Sequence, residues 1–159
     1  MIKKFVFGLL VLSSFGCGLL WAADAFTGNW KMNMAKSTFA KGREVKEETV
    51  TIAEQGDNRI GTVKGMYVDG KAISSEYTVP TKGGTLTYTE GAPLAGAGAT
   101  SVTKRVDAST LDGATTMNGK QVGTIHTVLS ADGKTITQTR SDMDESGKAM
   151  KTVAVFNRQ

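Results

Sequence analysis

The sequence predicts an all-β domain, an antiparallel up-and-down β-barrel of about ten strands, preceded by the helix of a signal peptide. Three observations carry this reading. Glycine turns recur at Asp69-Gly70-Lys71, Asn118-Gly119-Lys120, Asp132-Gly133-Lys134 and Ser146-Gly147-Lys148, with looser turns at Gln55-Gly56-Asp57-Asn58 and Lys82-Gly83-Gly84. Asp-Gly and Asn-Gly are strong hairpin signals because both central residues of a type I′ turn need positive φ. Between the turns lie runs rich in Thr, Val, Ile and Tyr, residues suited to a pleated surface. No long apolar pattern of period 3.6 competes with them.

In chain order, the first element is the leader. Met1-Ile2-Lys3-Lys4 carries two positive charges, residues 5–23 are uncharged, and small residues follow at Ala22, Ala23 and Ala25. That sequence of parts is the pattern of a secretory signal peptide. We assign residues 1–25 to it, with cleavage between 22 and 25, and residues 26–159 to the barrel. Two alternatives stand beside cleavage. The uncharged run is long enough to span a bilayer as an uncleaved anchor, although Gly8, Ser13, Ser14, Gly16 and Gly18 dilute it. Lipidation at Cys17 would tether the chain, although Ser14 and the apolar residues after Cys17 fit that signal less well.

Strands are predicted near 26–32, 47–54, 59–68, 72–79, 84–89, 100–107, 110–117, 121–130, 134–142 and 149–158. Short connections favour sequential antiparallel neighbours. An open sheet of that size would expose two edges, and closing it removes both. A two-sheet sandwich is the alternative. Thr49 and Thr51, Thr85, Thr87 and Thr89, and Thr135, Thr137 and Thr139 each occupy one parity of their strand. Val50 and Ile52, Leu86 and Tyr88, and Ile136 occupy the other, which marks one wet and one dry face. Residues 90–100 are the one break in composition, Gly- and Ala-rich, and are expected to form a loop at one rim.

Charge and cysteine content narrow the function classes. Without Lys3 and Lys4 the 19 basic residues fall to 17 against 15 acidic ones, a net +2, or +3 if Asp24 also leaves. So small and scattered an excess argues against nucleic-acid binding and against membrane attachment after cleavage. Cys17 is the only cysteine, so no intramolecular disulfide forms. Export therefore implies a periplasmic or secreted protein that does not rely on cross-links.

Phe26-x-Gly28-x-Trp30-Lys31 resembles the opening strand of the lipocalin and fatty-acid-binding-protein superfamily, whose shared signature is Gly-x-Trp. More narrowly, Gly28-Asn29-Trp30-Lys31-Met32-Asn33 followed by Ala35-Lys36-Ser37-Thr38-Phe39 is similar to a group of small secreted bacterial lipocalin-like proteins of unassigned function. The resemblance implies that Trp30 plugs the closed end of the barrel under a basic side chain from the last strand, a place Arg158 fits. Gly28 would let the strand bend so that the indole turns inward. Two features depart from the fatty-acid-binding pattern. Residues 33–46 leave room for a turn or short helix where those proteins insert two helices, and the final strand, ending Phe156-Asn157-Arg158, lacks their Arg-x-Tyr clamp.

Candidate ligand-binding residues come from strand parity. His126 shares parity with Val122 and Val128, Lys64 with Ile60, Met66 and Val68, Lys104 with Val102 and Val106, and Gln138 and Arg140 with Ile136. Were these parities to face the lumen, Lys64, Met66, Lys104, His126, Gln138 and Arg140 would form a mixed polar lining. Buried cations need partners, so this lining would suit a hydrophobic or amphiphilic acid with its tail against Met66, Val128 and Ile136. Bulges that shift the register, or side chains that reach the rim, would remove some of them.

No catalytic group, metal site or cofactor is expected. His126 is the only histidine, and Asp142-x-Asp144-x-Ser146-Gly147 resembles half of a calcium loop but has Val153 where a bidentate carboxylate is needed. Two non-enzymatic functions remain: a carrier of a small hydrophobic or amphiphilic acid, or a filled barrel with a structural or interaction role in the cell envelope.

Overall fold

The computed structural model describes residues 24–91, 98–143 and 147–159. These form ten strands: β1 Gly28–Met32, β2 Val45–Gln55, β3 Asn58–Tyr67, β4 Ala72–Pro80, β5 Gly83–Glu90, β6 Thr100–Arg105, β7 Thr110–Met117, β8 Lys120–Leu129, β9 Thr135–Met143 and β10 Ala149–Arg158. Each strand pairs antiparallel with its neighbour in sequence, and β1 pairs with both β2 and β10. That last pairing closes the sheet into a barrel and excludes the sandwich. The leader through residue 23, residues 92–97 of the expected rim loop and residues 144–146 of the calcium-like segment lie outside the described residues.

All ten strands fall where turn chemistry and β-branched content place them, with no end shifted by more than two residues. Gly70, Gly119, Gly133 and Gly147 have positive φ, as their turns require. The link between β1 and β2 holds a single 3₁₀ turn, Met34–Lys36, N-capped by Asn33. The chain then continues beside β10, where Thr38 and Val153 exchange two backbone hydrogen bonds of 2.8 Å as an isolated antiparallel bridge. Among the described residues no helix is long and apolar enough to cross a membrane.

The core gathers at one end. Trp30 (0 % exposed), Phe26 (1 %) and Phe156 (2 %) are its most deeply buried side chains, joined by Met32, Leu129 and Ile136. The Arg158 guanidinium lies 4.2 Å from the Trp30 ring centroid. It also donates to three carbonyls, from Nε to Gly133 at 2.7 Å, from Nη1 to Thr27 at 2.6 Å and from Nη2 to Ala25 at 2.8 Å. The indole Nε1 donates to the Phe26 carbonyl at 2.9 Å, so the plug carries no unpaired donor. Both described chain ends meet at this base. Asp24 lies at its centre, and the Gln159 amide donates to the Asn29 carbonyl at 2.9 Å.

Gly28 has φ +140°, and a Cβ built there would stand 2.5 Å from Arg158 Nη1. We therefore expect Gly28→Ala to displace the guanidinium and to lower the unfolding free energy by about 1–3 kcal/mol. In a chain that begins at residue 24 Trp30 is the only tryptophan. Urea unfolding followed by Trp30 fluorescence would measure the loss, and an unchanged midpoint would refute the role given to this glycine.

Candidate functional site

A cavity runs through the barrel above the plugged base. Its volume is about 190 Å³, and its apolar walls include Val50, Ile52, Val63, Ile73, Leu86 and Ile136. A second chamber of about 440 Å³ lies toward the open end, between β2–β3 and β9–β10, with Phe39, Tyr67 and Ala154 in its wall. Arg43, Glu48, Gln138 and Arg140 line both, so one polar belt stands where the two chambers meet.

The strands that aim this belt follow from pleat. On β2 the inward parity runs Glu48, Val50, Ile52, and on β9 it runs Ile136, Gln138, Arg140, Asp142. At the rim Arg43 Nη1 bonds Asp142 Oδ2 at 3.1 Å, closing one flank. Arg140 makes no hydrogen bond or ion pair with a described residue. Deeper down, Tyr77 and Tyr88 pack edge to face with centroids 6.1 Å apart. Gly61 makes room for them, since a Cβ there would overlap the Tyr77 ring.

Burial sets the electrostatics. It pushes the Glu48 carboxyl up from 4.5 to about 7, and the Arg140 charge pulls it back only in part. Both tyrosines are raised by burial, with Arg59 opposing at Tyr77 and Arg140 opposing at Tyr88. The Arg59 guanidinium is lowered by burial, while Asp24 works to keep it charged. Around neutral pH the belt thus holds a permanent cation, Arg140, and a carboxyl group on the edge of ionisation.

Gln138 and Arg140 line the cavity as the parity of Ile136 requires. Lys64, Lys104 and His126 do not: all three are exposed and project from the outer face. His126 Nδ1 meets Asp112 Oδ1 at 2.6 Å on that outer surface. Met66, half-buried, and Val128 share the outward parities of Lys64 and His126 and wall neither chamber. The reason is that apolar residues do not mark the inside on β3, β6 and β8. There the inward parity carries Gly61 and Val63, Ser101 and Thr103, and Ile125 and Thr127, while Val106 is half-exposed and Val102, though it borders the cavity, is 47 % exposed. Glu48, Tyr77, Arg43 and Arg59 were missed as lining residues. Glu48 was within reach, because it shares the dry parity of Val50 and Ile52. No group of three or more His, Cys, Asp or Glu side chains among the described residues is placed to hold a metal ion.

Closure of ten antiparallel strands over an indole plug, without a sandwich seam, decides the fold. It is lipocalin-like. Zebrafish ileal bile acid-binding protein, solved with cholic acid, matches this lipocalin-like barrel with a TM-score of 0.53 at 13 % identity, over 85 % of this chain and 99 % of its own. Rv2717c from M. tuberculosis matches with a TM-score of 0.51 at 15 % identity, over 85 % of this chain and 93 % of its own. At such identities the likeness is one of fold. No protein-family model and no curated protein matches the sequence.

Glu48 gives the cavity a pH signature. Its folded value lies above its unfolded one, so the folded state holds the proton more tightly between about 4.5 and 7. Stability from this group is complete below about 4.5 and declines as pH rises through 7, by roughly 3 kcal/mol in all. Unfolding free energies at pH 5 and pH 8 should therefore differ less in Glu48→Gln than in the parent chain. Parallel curves for the two proteins would show that the carboxyl is not shifted.

Proposed function

We propose that this chain is a non-enzymatic, exported barrel that holds a small hydrophobic or amphiphilic acid in the periplasm or outside the cell. One observation carries the reading: Arg140 is a guanidinium without a bonded partner among the described residues, set in a cavity with largely apolar walls. A cation so placed favours an anionic group beside it. Gln138 supplies a neutral amide on the same strand face, and the walls around Val50, Ile52 and Ile136 suit a tail. The likeness in fold to a bile acid-binding protein is compatible with such a ligand. Leader pattern and small net charge support export without membrane attachment.

The same geometry contains a second reading. A lumen of about 190 Å³ is below the ~300 Å³ where ligand pockets usually begin. That volume favours a filled barrel with a structural or interaction role in the envelope, unless the outer chamber of about 440 Å³ takes part.

Native mass spectrometry of protein purified without detergent separates the two, since a carrier should retain an acyl or sterol acid and a filled barrel should fly as the bare chain. The carrier reading also sets an expectation for mutants. Arg140→Gln should weaken binding of a fluorescent fatty acid with a free carboxylate by about tenfold or more, the worth of a charge-assisted hydrogen bond. Lys64→Ala and Lys104→Ala, on the outer face, should leave it unchanged. Equal affinity in Arg140→Gln and the parent would remove the anion site.

A further inference from the structure

The inner chamber reaches from Phe26 and Arg59 at the base to Arg140 toward the mouth, so two guanidiniums border one cavity. Register gives their spacing. On β3 the inward parity runs Arg59, Gly61 and Val63, paired in turn with Glu54, Ile52 and Val50 on β2. Arg59 thus stands level with Glu54, six residues along β2 from Glu48, the neighbour of Arg140 in the belt. Six residues of extended strand rise about 20 Å, and the tilt of barrel strands brings the height to roughly 15 Å.

Arg59 is 4 % exposed, yet it donates no hydrogen bond to a described residue, and its Nε is wholly enclosed. Its neighbours account for its charge and not for its donors. Cζ lies 5.8 Å from the Phe26 ring centroid, and Asp24 Oδ2 stands 3.8 Å from Nε, beyond hydrogen-bond length. That oxygen is taken by Arg105 Nη2, while Asp24 Oδ1 accepts from the Phe26 amide at 3.0 Å. The exposed Glu54 accepts from the Asp24 backbone nitrogen at 2.7 Å. Buried donors are nearly always spent on a partner. Tyr77 adds one more. It is the register partner of Gly61, and its ring and hydroxyl lie where a Cβ on that glycine would stand, one inward position above Arg59. The hydroxyl bonds no described residue, and burial raises its pKa, so it remains a neutral donor.

We propose that Arg59 and Tyr77 form a second polar anchor at the floor of the inner chamber, and that the ligand is two-ended: an acid whose far end carries another carboxylate or hydroxyl oxygen. Arg140 holds one end at the belt, Arg59 and Tyr77 hold the other, and the chain between lies along Val50, Ile52 and Val63. This narrows the carrier reading above and rests on it. A plain fatty acid would set a methyl group against the floor donors and leave them unpaired. Without such an anchor an added oxygen would weaken binding, because it leaves water and gains no partner. The sign of its effect is therefore diagnostic.

The test is calorimetric titration of the protein, expressed from its full-length chain, with dodecanoate and with dodecanedioate. Dodecanedioate should bind about tenfold or more tightly, the worth of hydrogen bonds to a charged group. Tyr77→Phe, which keeps the ring, and Arg59→Lys, which keeps the charge but loses the planar fork, should both shrink that ratio. Lys104→Ala, on the outer face, should not. A ratio of one or less in the parent overturns the floor anchor, and the Arg140→Gln effect on the monoacid still judges the carrier reading separately. Failure of both acids to bind overturns the two together. A second measurement follows the Arg59 Nε–H signal by NMR, assigned by its absence from Arg59→Lys. It should shift with dodecanedioate and stay in place with dodecanoate. Equal shifts would put a lone carboxylate on the floor and overturn the two-ended ligand.

Discussion

The barrel depends on the desolvation of one indole and one phenyl ring at its base. Three guanidiniums stand around these rings, and the geometry makes each useful. Arg158 stacks on Trp30 and spends its N–H groups on three carbonyls of two separate segments. Arg59 and Arg105 sit over Phe26 and share the carboxylate of Asp24. Truncating a buried aromatic of this kind typically costs about 3–5 kcal/mol. That is a large part of the stability of a single domain. It also forces the first and last strands together, because Trp30 and Arg158 are register partners across the closing seam.

A packed base leaves the upper half to polar chemistry. Although Val45 and Ile73 extend the buried apolar cluster toward the open end, on β9 the inward face turns from Ile136 to Gln138 and Arg140. Above the aromatic plug the lumen is lined by aliphatic side chains and the tyrosine pair, and the Glu48–Gln138–Arg140 belt and the Arg43–Asp142 ion pair stand toward the open end. Gly61 contributes by absence, because any side chain there would push Tyr77 out of its place.

The fold was legible because turns and pleats are local. Asp69-Gly70, Asn118-Gly119 and Asp132-Gly133 announce hairpins through backbone sterics, and threonine parity on β2 and β5 marks the wet face without knowledge of any neighbour. The site was legible only on β9, where Ile136 is a true interior residue and carries Gln138 and Arg140 with it. On β3, β6 and β8 apolar residues occupy both faces, so the parity that carries Lys64, Lys104 and His126 was not marked as outward: Val63 and Ile125 face the lumen beside glycine, serine and threonine, while Met66 and Val128 stay outside. The contacts of Asp24 were not legible, since they come from Arg59 and Arg105, brought to it from distant strands. Such contacts carry no signal in a linear pattern.

Because β10 runs alongside β1, the polypeptide enters and leaves on the same side, beneath the stopper and opposite the mouth. A tether, fluorophore or second module joined after Gln159 would leave from the underside, away from the aperture. The molecule is in this sense built like a cup on a stem.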